Sequence, residues 1–231
     1  NLSGMIIDDQ KVNNKFKIKR IMRTNILVSI FTIIIFAGFL NGKIFINEAK
    51  AQDKHSCYYA VDLPKQDVSA AEEKELLYMI EEEKMARDFY ITMYEKWGLR
   101  PFANINKAEQ KHMDAIESML NKYGLANPVK DIAVGEFKND KIKNLYLSLL
   151  EQGNKSALDA LKAGAEIEEV DIKDLMDAVK NTDNKDIAIV YNNLKRASEN
   201  HLRAFTRNIN RRDETYTPKH LDKEYYNEIV N

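Results

Sequence analysis

At 231 residues, with 44% hydrophobic and 31% charged residues, the chain has an ordinary globular balance, which excludes a predominantly disordered polymer. Lys and Arg number 35 against 36 Asp and Glu, so no overall field draws it toward nucleic acid or an anionic surface. Only eight Gly and four Pro are present, which favours long uninterrupted helices over a turn-rich β fold.

The first feature in chain order is a basic flank, Lys17, Lys19, Arg20 and Arg23, followed by the apolar run 26–40 and then by Ala49-Lys50-Ala51. This order reads as an export signal, with Gln52 the first residue after cleavage and Met22 a candidate translation start behind an unusual extension. The apolar run has signal-peptide length and falls short of the ~20 residues that span a bilayer. Retention as an N-terminal membrane anchor is the alternative, and the only membrane association the sequence offers. Residues 1–51 are therefore expected to be extension and signal or anchor, placing the rest outside the cytoplasm. Cys57 is the single cysteine, so no disulfide forms within the chain.

Residues 52–68 read as a polar lead-in to a helical domain over 69–210. Ser69-Ala-Ala-Glu72 is a capping box, and Leu76, Met79, Ala86, Tyr90, Met93 and Trp97 recur at helical spacing until Gly98. Pro101 suits the first turn of a second helix, 102–123, with Ile105, Ala108, Ile116, Met119 and Tyr123 on one face and Gly124 as its stop. Pro128 and Gly135 mark 125–138 as a crossing loop, and 141–152 reads as an extra helix. A third long helix is expected over 156–180 and a fourth over 185–210, separated by a turn at 182–184. The tail 211–231, with Tyr216, Pro218, Tyr225 and Tyr226, is expected to pack on the outside. Two antiparallel helical hairpins joined by a long crossover form an all-α, ferritin-like four-helix bundle.

Ionisable residues inside the apolar stripes must be neutralised, paired or coordinated. Glu83 falls on the inner face of the first helix, seven positions before Tyr90, while Glu81 and Glu82 turn away from it. Glu109 and His112 join the inner face of the second helix at i, i+3. Glu168 lies between Ala165 and Ile172 on the third, with Glu169 nearer the edge, and His201 lies between Leu194 and Phe205 on the fourth. A Glu from each of two helices plus Glu-x-x-His from each of the other two is the ligand set of di-iron and di-manganese bundles. Here Ser198 stands where the sixth ligand would be. Water, Glu199 or a second carboxylate of the third helix are the open substitutes, as is a mononuclear site. The competing reading is neutralisation by basic residues, with Arg87 and Arg203 the candidates. Tyr90 is expected to be a packed aromatic with a bonded hydroxyl, and is also a candidate neighbour of the ligands.

The stretches LLYMIEEEKMARDFYITMYEKWG, FANINKAEQKHMDAIESMLNKYGL, GAEIEEVDIKDL and NHLRAF resemble the DUF2202 family, assigned to the ferritin-like superfamily, over about 69–210. More distantly, Glu83, Tyr90 and Glu109-x-x-His112 resemble the first half of rubrerythrin and bacterioferritin sites. The inward-facing residues point to an iron- or manganese-binding protein, with zinc also compatible, holding one or two ions through Glu83, Glu109, His112, Glu168 and His201. The family has no established activity; analogy with the fold extends the expectation to an oxidoreductase acting on peroxide, oxygen or ferrous iron, and the alternative is a non-catalytic metal-binding or structural bundle. The expected partners are a metal ion and a small oxidant. Nucleic acid is not among them, because no basic patch with interleaved aromatics occurs. No Cys cluster supplies a rubredoxin-like electron-transfer domain.

Overall fold

The computed structural model describes residues 60–231, which lie within one compact unit, 53–231. The expected leader or anchor, and Cys57, fall outside the described residues. Among the described residues no helix is long and apolar enough to cross a membrane.

Each helix begins and ends where its local chemistry directs. Helix α1, Ala70–Trp97, starts on the capping box of Ser69 and Glu72 and stops at Gly98, whose φ of 63° is the left-handed conformation that glycine adopts without strain. Helix α2, Arg100–Tyr123, carries Pro101 in its first turn and stops at Gly124. Helix α3, Asp140–Gly153, is capped by the Asn139 side chain, which accepts from the backbone N–H groups of Lys141 and Ile142. Helices α4, Ala157–Asn181, and α5, Lys185–Asn210, complete the four long elements. A short α6, Lys223–Val230, follows.

Helices α1 and α2 pack as one hairpin and α4 and α5 as the other; α1 faces α4 and α2 faces α5 across the bundle. With the crossover from α2 to α4 carrying α3, this is the all-α four-helix architecture expected from the sequence.

Helix α1 is the central element, with every residue from 79 to 86 buried. One of its faces holds a row of charges that anchors the crossover. Glu81 accepts from the backbone N–H groups of Lys138 and Asn139 at 2.5 and 2.6 Å. Lys84, fully buried, donates to Asp88 and to the carbonyls of Ala133 and Glu136, and Asp88 accepts from the Gly135 N–H. The loop backbone thereby finds partners it would otherwise seek from water.

The tail packs on the bundle: α6 lies against α5 and turns Tyr226 and Ile229 inward, and with Tyr216 before it they are buried in the cluster that contains Phe89 and Phe205. Glu169, fully buried, secures the turn before α6 by accepting from the backbone N–H groups of Lys219, His220 and Leu221.

The core is two apolar clusters. One holds Phe89, Tyr90, Phe102, Ala165 and Phe205, and the other Leu76, Met79, Ile116, Leu175 and Leu194. Gly164 matters at the first, because a Cβ there would lie 2.6 Å from the Phe205 ring. That ring is locked between Tyr90 and Phe102 at centroid distances of 5.3 and 5.6 Å, so it has no room to yield. Gly164→Ala is expected to destabilise the fold by roughly 1–3 kcal/mol, read as a lowered melting temperature by circular dichroism; an unchanged value would show that the aromatic cluster repacks freely.

Candidate metal centre

Between the two apolar clusters every long helix presents an ionisable side chain at one level. Along α1, Glu83 separates Met79 and Ile80 of one cluster from Met85 and Ala86 of the other. Along α2, Glu109 and His112 lie between Ile105 and Met113, and along α5, Ser198 and His201 lie between Leu194 and Leu202. The result is a polar layer across an otherwise apolar bundle. Glu83, Glu109, His112 and Glu168 are buried and His201 nearly so.

Within that layer the predicted residues form two triads that share one member. Glu83, Glu109 and His112 bring one ligand atom each within 4.8 Å of one another, and so do Glu109, Glu168 and His201. The division is sharp at Glu109. Its Oε2 lies 2.7 Å from His112 Nδ1, which is also 3.1 Å from Glu83 Oε2. Its Oε1 lies 3.0 Å from His201 Nδ1, which is 3.4 Å from Glu168 Oε2. One carboxylate thus offers one oxygen to each side, the arrangement of a bridging ligand between two ions. The two imidazoles stack with centroids 5.6 Å apart and planes inclined by 21°.

Several of these atoms converge without forming hydrogen bonds. Glu83 Oε1, Glu109 Oε1 and His201 Nδ1 are buried and have no hydrogen-bond partner, although Glu109 Oε1 and His201 Nδ1 are at ion-pair distance. Buried oxygen and nitrogen atoms left without a hydrogen-bond partner inside these triads fit the donor set of a divalent cation. The donor set of carboxylate oxygen and imidazole nitrogen suits iron, manganese and zinc.

The electrostatics carry the same message. Burial pushes the Glu83 carboxyl up to about 7 against the lowering influence of His112. Burial would also raise Glu109, but the two imidazoles outweigh it and hold that carboxyl well below its ordinary value. For His112 and His201 burial favours the neutral ring, yet the facing carboxylates dominate; His201 is raised to about 10 and His112 well above its usual value. Two protonated imidazoles here stand in for positive charge that the carboxylates require.

Basic side chains do not supply that charge. Arg87 donates to Asp88 and Gln110, and Arg203 to the Ile229 carbonyl and Asn200, so the two candidates for neutralisation are engaged elsewhere. Of the two glutamates left open on α4, Glu168 faces the layer and Glu169 holds the turn before α6. Glu199 is bound by the Tyr225 hydroxyl at 2.7 Å, away from the site. Tyr90 packs among Phe89, Phe102 and Phe205 and donates to Glu168 Oε1 at 2.5 Å, which makes it both the packed aromatic and the neighbour of a candidate ligand.

Two further buried acids flank the layer: Asp171, not singled out from the sequence, and Glu82, which the helical spacing turns away from the inner face of α1. Asp171 sits one turn beyond Glu168 on α4; burial raises its carboxyl well above the ordinary range, reinforced by Glu83, Glu82 and Glu168, with the Ser198 hydroxyl pulling the other way. The i, i+3 spacing of Glu168 and Asp171 carried this signal, since it puts both on one face. Asp171 is a further buried carboxylate of α4, placed beside Ser198 and outside both groups of converging ligand atoms. Glu82 is also buried rather than solvated.

The chain is similar to the uncharacterized protein MJ0754 of Methanocaldococcus jannaschii, at 49% identity over 172 residues, covering 74% of this chain and 93% of that protein. The crystal structure of that hypothetical protein superposes with a TM-score of 0.71 at 50% identity, covering 73% of this chain and 96% of the other. The family model for the uncharacterized protein domain DUF2202 matches residues 72–231, a span that includes every residue of both triads and the tail with α6, and the chain belongs to that family.

Proposed function

We propose that this protein binds two divalent metal ions, iron or manganese, in the polar layer and acts as an oxidoreductase outside the cytoplasm. The observation that carries the reading is the division of Glu109, one oxygen toward His112 and Glu83 and the other toward His201 and Glu168. Iron or manganese held by Glu83, Glu109, His112, Glu168 and His201 would supply one-electron redox chemistry, so that peroxide, given two electrons from ferrous iron or an external reductant and two protons from solvent, would leave as two waters. The chain's own part is to hold the ions apart from bulk water between two apolar clusters, and to orient Glu168 through the Tyr90 hydroxyl. The basic and apolar segment before residue 52 supports the extracytoplasmic location.

The test is metal content by elemental mass spectrometry for the wild type and for a His112→Ala, His201→Ala double variant, followed by peroxide-consumption and ferrous-oxidation assays. About two equivalents of iron or manganese, absent from the variant together with turnover, is the expected result. Tight binding without turnover in either assay would replace the enzyme reading by a metal-binding module, and no metal after metal-replete expression would end both.

A further inference from the structure

A row of acidic side chains leads outward from the triads between α1 and α4. Its inner members are Asp171 and Glu82, 4% and 1% exposed. Asp171 Oδ1 and Glu82 Oε2 are buried and have no hydrogen-bond partner. Glu82 Oε1 accepts from the Tyr78 hydroxyl at 3.5 Å, and the same hydroxyl lies 3.2 Å from Asp174 Oδ2. Asp174 and Tyr78 are half-buried, and the exposed Lys141 donates to the Tyr78 hydroxyl at 3.2 Å. The row therefore runs from a partly open outer end to the buried layer. Asp171 lies near enough to Glu83 and Glu168 to feel both charges.

Two buried carboxyls at one helix interface, each with an oxygen that has no hydrogen-bond partner, are costly, and apolar residues of similar volume would serve packing better. Their placement has a chemical gradient. The outer groups offer only oxygen, which holds a divalent cation weakly and exchanges it readily, whereas the triads add imidazole nitrogen and bind more tightly. We propose that Asp174, Glu82 and Asp171 form an uptake path that passes a divalent cation from the surface between α1 and α4 to the two triads. The proposal rests on the metal-site reading above. Lys141 stands at its mouth as a competing positive charge.

The experiment mixes the metal-free full chain with cobalt(II) in a stopped-flow instrument and follows the visible absorption of the bound ion. Glu82→Gln and Asp174→Asn are expected to slow loading at least about tenfold while leaving the final stoichiometry and affinity within twofold, because neither residue belongs to a triad. Lys141→Met is expected to load at least as fast as wild type. The melting temperatures of the metal-free Glu82→Gln and Asp174→Asn chains should be no lower than wild type, which separates slow loading from a damaged fold. Equal loading rates in all chains would overturn the path alone. Absence of cobalt uptake by the wild type would instead end the metal-site reading, and the path with it.

Discussion

Glu109→Gln is expected to abolish the binding of both ions at once. Glutamine keeps the shape of the side chain, but one of its two polar atoms is an NH2 that cannot ligate, and the negative charge is gone. Because Glu109 Oε2 belongs to the triad of Glu83 and His112, and Oε1 to that of Glu168 and His201, both positions lose a ligand and a neutralising charge together. Affinity at each should fall by at least about 100-fold, more than is usual for a group that only supports a ligand. Glu83→Gln and Glu168→Gln each touch one triad and should leave the other ion in place. Titration calorimetry on metal-free protein distinguishes these patterns. Retention of one ion at wild-type affinity by Glu109→Gln would show that Glu109 does not bridge.

The fold was legible because its boundaries are written in local chemistry. Ser69 with Glu72, Pro101, Gly98 and Gly124 act within a turn of themselves, so the observed ends of α1 and α2 match what those residues dictate. The layer was legible for a different reason: Glu83, Glu109, His112, Glu168 and His201 interrupt apolar stripes on separate helices, and only packing those stripes together brings them to one place. Less accessible was anything whose partner is loop backbone. Glu81 turns away from the inner face of α1, yet it is buried because α1 is surrounded and the crossover offers it two N–H groups. Glu169 could be told from Glu168 only once the turn before α6 was seen to need its carboxylate. Helix α6 has only eight residues, too short for periodicity to announce it, and its burial comes from the tyrosines that frame it.

The metal-free protein is expected to lose stability as pH rises, and metal is expected to remove that dependence. His201 has a folded value of about 10 against an ordinary 6.5, so its contribution is fully present below 6.5 and is lost as pH climbs through about 10. His112 is raised in the same sense. Glu83, raised from 4.5 to about 7, likewise favours the folded state while protonated and ceases to do so across that interval, and Glu168, Glu82 and Asp171 are shifted in the same direction. Glu109 has the opposite sign, but its contribution is lost only as pH falls below the ordinary carboxyl range, outside the window that matters here. Between about pH 5.5 and 8.5 Glu83 ionises in the folded layer, and the unfolded chain releases imidazole protons that the folded layer still holds, so the folded state loses on the order of 3 kcal/mol, or roughly 5–10 °C in melting temperature. Divalent cations displace those protons and supply the charge themselves, so the loaded protein should show a nearly flat profile and release protons on binding near neutral pH. Calorimetric melting of both forms across this range decides the matter: a metal-free protein that grows more stable toward pH 8.5 would mean that the imidazoles and carboxylates of the layer are not held together as described.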